Sequence, residues 1–135
     1  MERAAQRPQL SVVVTTYNSA DTLARCLSST RFADEILVLD SFSSDTTVSI
    51  AHAHGARVVQ AEFLGYGPQK AKAVALAEHS WVLLLDADEW LPEATARAIA
   101  HWLQAPNANG VRLPRIERMF WRYPHPWAKA NTFLR

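Results

Sequence analysis

The feature that most limits the fold of this chain is a regular alternation of apolar runs with helix-like segments. Four runs are rich in valine, leucine and isoleucine: "LSVVVTTYN" at 10–18, "EILVLD" at 35–40, "ARVVQ" at 56–60 and "WVLLLD" at 81–86. Continuous apolar runs of this length are typical of strands that are buried on both faces of a parallel sheet. The alternation predicts an α/β fold with a three-layer, mostly parallel sheet.

Capping and breaking residues indicate where the intervening helices begin and end. A helix capped at Asn18 or Ser19 is predicted to follow the first strand and to run to about Ser29. Gly55 is placed to end the second helix, because glycine adopts the left-handed conformation common after a helix. The other predicted elements are helices at 69–79 and 92–104 and a short fifth strand at 111–114.

Length and composition narrow the class of protein. The 135 residues suit one domain, and Cys26, the single cysteine, excludes an internal disulfide and suits a reducing compartment. No apolar run approaches the roughly 20 residues of a membrane-spanning helix. Residues 1–9 form a polar arm without the apolar centre of a signal peptide. We therefore expect a cytoplasmic protein.

Basic charge is concentrated at the end of the chain. Residues 111–135 carry six basic side chains and one acidic side chain, a charge of +5, and the total of +1 leaves −4 on residues 1–110. A basic segment of this kind indicates an anionic partner. Its aromatic residues have three open explanations, namely packing over the sheet, contact with a membrane surface, and stacking on a sugar. These large apolar residues are Met119, Phe120, Trp121, Tyr123 and Trp127.

Acidic side chains follow two of the predicted strands. Asp40 ends the second strand, Asp86 ends the fourth, and Asp88 and Glu89 come directly afterwards. The carboxyl ends of parallel strands meet at one edge of a sheet, where ligands bind. Clustered carboxylates suit Mg²⁺ or Mn²⁺, so Asp86 and Asp88 predict a metal site. Either strand-end aspartate alone could equally be a loop residue or a helix cap.

Four stretches together resemble a known family. "SVVVTTYN", "ADEILVLDSFSSDTT", "GYGPQKAKAVALA" and "WVLLLDADEW", in this order and spacing, are similar to the amino-terminal half of family 2 glycosyltransferases with the GT-A fold. The resemblance extends from Leu10 to about Arg118 and points to bacterial lipopolysaccharide-core β-glucosyltransferase-like members. It implies a Rossmann-like nucleotide-sugar-binding domain at 10–118, followed by a basic aromatic tail at 119–135.

The resemblance also implies roles for individual residues. The end of the first strand would hold the nucleotide base, the acid that ends the second would bind the base edge or ribose, and the Asp-x-Asp would hold the ribose and a metal-bound diphosphate. The implied donor-binding residues are Thr15, Tyr17, Asn18, Asp40, Lys70 and Asp86, and the implied metal ligands are Asp88 and Asp86. Ala71 stands where relatives often have asparagine.

The activity implied by the resemblance is inverting sugar transfer that depends on Mg²⁺ or Mn²⁺. The donor would be a nucleotide-diphosphate sugar, with a UDP-sugar favoured, and the acceptor a saccharide or lipid-linked saccharide in cell-envelope glycan synthesis. A carboxylate base would deprotonate the acceptor, and Glu89 and Glu117 are the candidates within this chain. In the family this base commonly lies beyond the length of this chain, so we expect the acceptor-side half to be missing. No nucleic-acid partner is expected, and residues 119–135 would allow a peripheral contact at the inner face of the plasma membrane.

Three other functions share some of these sequence features. A truncated domain could bind the nucleotide without catalysis. An Asp-x-Asp-x-Thr phosphatase would share the apolar strand and both acids, but Trp90 stands where that motif requires threonine. A dinucleotide-binding dehydrogenase is disfavoured, because no Gly-x-Gly-x-x-Gly follows any predicted strand.

Overall fold

Strands and helices alternate along almost the whole of the described chain. The computed structural model describes residues 7–116 and 129–134. The strands are β1 (Leu10–Thr16), β2 (Glu35–Asp40), β3 (Arg57–Gln60), β4 (Trp81–Asp86), β5 (Val111–Ile116) and β6 (Lys129–Leu134). The helices are α1 (Leu23–Ser28), α2 (Thr47–Ala53), α3 (Tyr66–Leu76) and α4 (Glu93–Trp102).

The six strands form one sheet in the order β3-β2-β1-β4-β6-β5. Strands β3, β2, β1 and β4 run parallel to one another, whereas β6 is antiparallel to both β4 and β5. Thr16 of β1 is paired with Asp40 of β2, and Thr15 is paired with Asp86 of β4. The three strand ends therefore lie level at one edge, and the prediction of a mostly parallel α/β sheet is confirmed.

Helices cover both faces of the sheet, as the three-layer prediction requires. Alternate residues of β1 belong to different cores, since Val12 and Val14 pack with α1, α2 and α4, whereas Val13 packs with α3. Cys26 of α1 is buried in the first core, and its burial raises the pKa of the thiol to about 12, further supported by the nearby acids Glu89, Asp88 and Asp86. The thiol therefore stays protonated and serves as a small core side chain.

Some boundaries differ from those that the sequence predicts. Helix α3 begins at Tyr66, three residues earlier than predicted, with Pro68 inside its first turn. Proline is tolerated there because the first N–H groups of a helix have no partner within the helix. Helix α1 begins only at Leu23, without a side-chain hydrogen bond from its capping residue.

Strand β6 is the element that the sequence did not predict. It pairs with β5 over six residue pairs, from Val111 opposite Leu134 to Ile116 opposite Lys129. Its segment, "KANTFL", has neither a continuous apolar run nor a clean alternation, so periodicity could not identify it. The other predicted features of residues 119–128 lie outside the described residues. Among the residues that the structure describes, none of the helices has the length and apolar character of a membrane span.

Gly55 ends α2, as predicted. Its φ is +75°, its N–H donates to the carbonyl of His52 at 3.0 Å, and the N–H of Ala56 donates to the carbonyl of Ala51 at 3.1 Å. These two bonds form a Schellman motif, which satisfies carbonyl groups at the end of the helix. The motif turns the chain directly into β3.

Replacement of Gly55 by alanine should destabilise the domain by about 1 kcal/mol, because an L side chain is disfavoured in the left-handed region. A Cβ atom at Gly55 would meet nothing within 4 Å, so the cost is conformational and not steric. Urea unfolding of Gly55→Ala measures it. Gly67→Ala is the matched control, since a Cβ there also meets nothing but Gly67 has no positive φ. Equal stabilities of the two variants would contradict the prediction.

Candidate functional site

A cleft of about 510 Å³ lies at the carboxyl edge of the parallel strands. Its walls come from the loop that follows β1, the start of α3 and the turn that follows β4. The parallel topology brings these segments together, because three strand ends lie level there. Six of the predicted binding residues line the cleft, namely Thr15, Tyr17, Asn18, Lys70, Asp86 and Asp88.

Lys70 and Asp86 form an ion pair across the cleft. The Nζ atom of Lys70 lies 2.9 Å from Oδ1 and 3.2 Å from Oδ2 of Asp86. The two side chains are 38% and 33% exposed, so the pair is accessible to solvent. The ammonium of α3 thus neutralises the carboxylate that ends β4.

Asp88 is exposed at the same wall, two residues beyond the end of β4. Within the described residues, no hydrogen bond or ion pair reaches its carboxylate. Nor do three or more His, Cys, Asp or Glu side chains of the described residues form a ready metal site. Two carboxylates fit a Mg²⁺ or Mn²⁺ ion that takes its remaining oxygens from water and a phosphate group. Asp86 and Asp88 therefore suit a metal that arrives with a ligand.

Glu89 is not part of the cleft lining and braces the turn that carries Asp86 and Asp88. Its Oε1 accepts a hydrogen bond from the Asp86 N–H at 3.0 Å, and its Oε2 lies 3.5 Å from Nε of Arg115 in β5. Burial raises the pKa of Glu89, as does the negative charge of Asp86, and these effects outweigh the opposing influence of the Asp86 N–H and Arg115. The geometry gives Glu89 a positioning role. Glu117, the other candidate base, lies outside the described residues.

Asp40 is buried beneath the loops instead of lining the cleft. Its Oδ1 accepts the hydroxyl groups of Thr16 and Ser43, and its Oδ2 accepts the Ser43 N–H at 2.9 Å and the Gln60 amide at 3.1 Å. Burial alone would raise the pKa of Asp40, but the hydrogen bonds from Ser43, Thr16 and Gln60 outweigh it and hold the pKa below its ordinary value. A direct contact with a nucleotide would require this carboxylate to give up one of these donors.

Asn18 joins the two loops that follow β1 and β2. It has a φ of +46°, its N–H donates to Oγ of Ser43 at 2.8 Å, and its side-chain oxygen accepts the N–H of Ser44 at 2.8 Å. The Ser19 N–H also donates to the hydroxyl of Thr47, at 2.8 Å. Asn18 therefore lines the cleft and also fixes the shape of its rim.

Aromatic side chains form a wall that the sequence analysis did not single out. Phe63 and Tyr66 line the cleft beside Tyr17, and the Phe63 and Tyr66 rings meet edge to face with their centroids 5.2 Å apart. Tyr17 and Tyr66 are 65% and 78% exposed, a large fraction for aromatic residues. A usable signal was present in "EFLGYGP", where aromatics come directly before the helix that carries Lys70.

Asp40→Asn should lower the free energy of unfolding by about 2 kcal/mol, since an amide group cannot accept all four of these hydrogen bonds. The folded pKa of Asp40 is depressed, so its contribution is present above the unfolded pKa and is lost as the pH falls through the folded pKa. Urea unfolding at neutral pH and below about pH 4 should show the difference from wild type shrinking in acid. Asp21→Asn, on the exposed rim, controls for loss of charge. A neutral Asp40→Asn would contradict a structural role.

Several known proteins are similar to this chain in sequence or fold. An uncharacterized glycosyltransferase of Rickettsia felis is 42% identical over 84 residues, which are 62% of this chain and 30% of that protein. The crystal structure of residues 1–349 of Staphylococcus aureus TarS, a poly(ribitol-phosphate) β-N-acetylglucosaminyltransferase, superposes with a TM-score of 0.61 at 29% identity, over 70% of this chain and 32% of that one.

A third similar protein is glucosyl-3-phosphoglycerate synthase of Mycobacterium tuberculosis, solved with Mn²⁺, uridine diphosphate and glucosyl-3-phosphoglycerate. It matches with a TM-score of 0.54 at 29% identity, over 59% of this chain and 33% of that one. The chain thus spans about a third of the length of these relatives. The family model described as glycosyl transferase family 2 matches residues 11–135. With nearly its whole length matched, and with the α/β sheet of the GT-A glycosyltransferases, this chain belongs to glycosyl transferase family 2.

Proposed function

We propose that these residues bind the donor of an inverting, metal-assisted glycosyltransferase that uses a nucleotide-diphosphate sugar. The observation that carries the proposal is the cleft itself, whose lining in the described residues combines the cation Lys70, three carboxylates and three exposed aromatic side chains. The similar M. tuberculosis enzyme, solved with Mn²⁺ and uridine diphosphate, supports a nucleotide ligand. We favour a UDP-sugar as the donor.

The chemistry of the cleft suggests how such a donor would lie. The flat base would stack on the exposed ring of Tyr17 after β1, and Phe63 and Tyr66 would offer further ring surface in the same cleft. The ribose would lie near Asp86, and the diphosphate near Lys70, whose ammonium suits a phosphate oxygen. Thr15 would contribute at the floor, where it is paired with Asp86 in the sheet.

A divalent metal fits beside the diphosphate, with Asp88 and Asp86 as its protein ligands. When bound, Mg²⁺ or Mn²⁺ would neutralise the charge of the diphosphate leaving group. Glu89 would keep the two carboxylates in place by holding the Asp86 N–H. Lys70 would supply a further positive charge at the same group.

The acceptor and the catalytic base would lie outside the donor cleft. Since Glu89 braces the turn, we propose that the base is a carboxylate elsewhere, with Glu117 still a candidate. A saccharide or lipid-linked acceptor in cell-envelope synthesis would suit the basic residues of 111–135, including a peripheral contact of 119–135 with the inner face of the plasma membrane. Within the family, we propose that the protein belongs to the lipopolysaccharide-core β-glucosyltransferase-like members.

A second candidate function is nucleotide-sugar binding without transfer. One observation favours it for the described residues. The carboxylates that line the cleft are Asp86 and Asp88, which we assign to donor and metal binding, and Asp21 at the rim, so the lining offers binding groups but no further acid to act as a base. Donor binding is common to both functions, so it is tested first.

UDP with Mn²⁺ should stabilise the domain, whereas UDP in EDTA should do so far less, because the acids would repel an unneutralised diphosphate. At a hundredfold excess over Kd the stabilisation is about 2.7 kcal/mol, which corresponds to a rise of several degrees in Tm. Differential scanning fluorimetry measures the shift. Asp88→Asn should abolish the metal-dependent part, and Glu62→Gln, at an exposed acid outside the cleft wall, is the control. No shift with any nucleoside diphosphate at any metal concentration would overturn the proposed function.

Substitutions of Glu89 test whether it positions the turn that carries Asp86. Glu89→Gln keeps an oxygen for the Asp86 N–H, so the Kd for UDP with Mn²⁺ should stay within about threefold of wild type. Glu89→Ala leaves that N–H without its acceptor, and the Kd should rise by about tenfold as the turn loosens. Isothermal titration calorimetry gives both values. Equal affinities for the two variants would contradict the positioning role.

A further inference from the structure

We infer that Lys70 is a built-in competitor of the metal: its ammonium occupies Asp86 until a nucleotide diphosphate draws it away. This inference rests on the proposed function, since it concerns how the donor cleft is loaded. The starting observation is the pair itself, in which Nζ of Lys70 lies within 3.2 Å of both carboxylate oxygens of Asp86. A divalent ion bound by Asp86 would need the same oxygens.

The two acids of the turn are unequal. Asp86 is paired with Lys70, whereas no hydrogen bond or ion pair within the described residues reaches Asp88. Without a nucleotide, a metal would therefore meet one open carboxylate, and the ammonium beside the second would repel it. Mg²⁺ and Mn²⁺ need several oxygen ligands, so one carboxylate holds them weakly.

A diphosphate changes this balance in two ways at once. It offers the Lys70 ammonium an acceptor with more negative charge than one carboxylate, and it supplies oxygens to a metal on Asp86 and Asp88. The pair can open readily, because both side chains are about one-third exposed and exposed ion pairs are weak. Metal and nucleotide consequently strengthen each other's binding, and thermodynamic linkage makes this effect reciprocal. The pair therefore lowers the affinity of the cleft for metal when no donor is present.

The location of Lys70 supports a switch between two partners. It lies on α3 in the second turn after Gly65, whereas Asp86 belongs to the end of β4, so the pair joins two separate elements across the cleft. A lysine side chain is a flexible stem of four methylene groups, so its ammonium can reach either partner without movement of the helix. Lys72, on the same helix, is exposed and lies outside the cleft wall, which makes it a matched control.

The test is Mn²⁺ binding to the whole chain without nucleotide, followed by electron paramagnetic resonance of the free ion. Lys70→Met removes the ammonium but keeps most of the side-chain length, and Mn²⁺ affinity should rise by about fivefold, the effect expected when a weak exposed pair is removed. Lys70→Arg keeps the positive charge and should remain like wild type. Lys72→Met should also remain like wild type, because its charge is not paired with Asp86.

Two results would overturn the inference: Mn²⁺ affinities that are equal in wild type and Lys70→Met, including a failure of both to bind, or an equal gain in Lys72→Met. A parallel titration of UDP with Mn²⁺ into wild type judges the proposed function separately. If UDP binds and Lys70→Met does not change Mn²⁺ affinity, only the competition is wrong. If UDP does not bind wild type, the donor proposal is wrong, whereas the comparison without nucleotide still decides whether Lys70 holds the metal off.

Discussion

The buried carboxylate of Asp40 ties together the ends of three parallel strands, and the cleft depends on it. It accepts hydrogen bonds from Thr16 at the end of β1 and from Gln60 at the end of β3, while it belongs itself to β2. Its two bonds to Ser43 fix the loop after β2, and Ser43 in turn accepts the N–H of Asn18. One carboxylate thus shapes the loops on which the cleft wall is built. Because its charge is met by donors and not by a cation, it can stay buried and ionised.

The three aspartates at this edge of the sheet, Asp40, Asp86 and Asp88, differ in how their negative charge is compensated. The first is satisfied entirely by hydrogen bonds, the second is paired with Lys70, and the third is exposed without a partner in the described residues. Only the second and third can receive a ligand without breaking the loops. The arrangement places both ligand-accessible carboxylates on one short turn, and the Glu89 bond to the Asp86 N–H keeps that turn in shape. Binding groups that are poorly satisfied by their own protein are the usual mark of a site.

The four parallel strands and their order along the chain could be predicted from the sequence, because buried parallel strands produce continuous apolar runs. The roles of Asp40 and Asp86 could not be separated in the same way, since "EILVLD" and "WVLLLD" look alike. Their difference comes from position in the sheet. Strand β2 lies between β1 and β3, whose ends supply donors to Asp40, whereas Asp86 faces the helix that carries Lys70. Pairing order is a property of the fold and leaves no local trace in either stretch.

The aromatic wall and β6 could not be predicted, because neither segment has a regular hydrophobic period. Phe63 and Tyr66 lie in a loop and a first helical turn, where no hydrophobic period applies, and they are exposed although they are large and apolar. An aromatic side chain that is left in water beside a charged turn contributes little to folding. If a flat base covers it, as we propose, burial of apolar area would add to the attraction between the phosphates and Lys70. In the proposed binding mode the rings would supply affinity for the base that does not depend on charge, so the competition of Lys70 with the metal for Asp86 would change only the part of the affinity that the diphosphate provides.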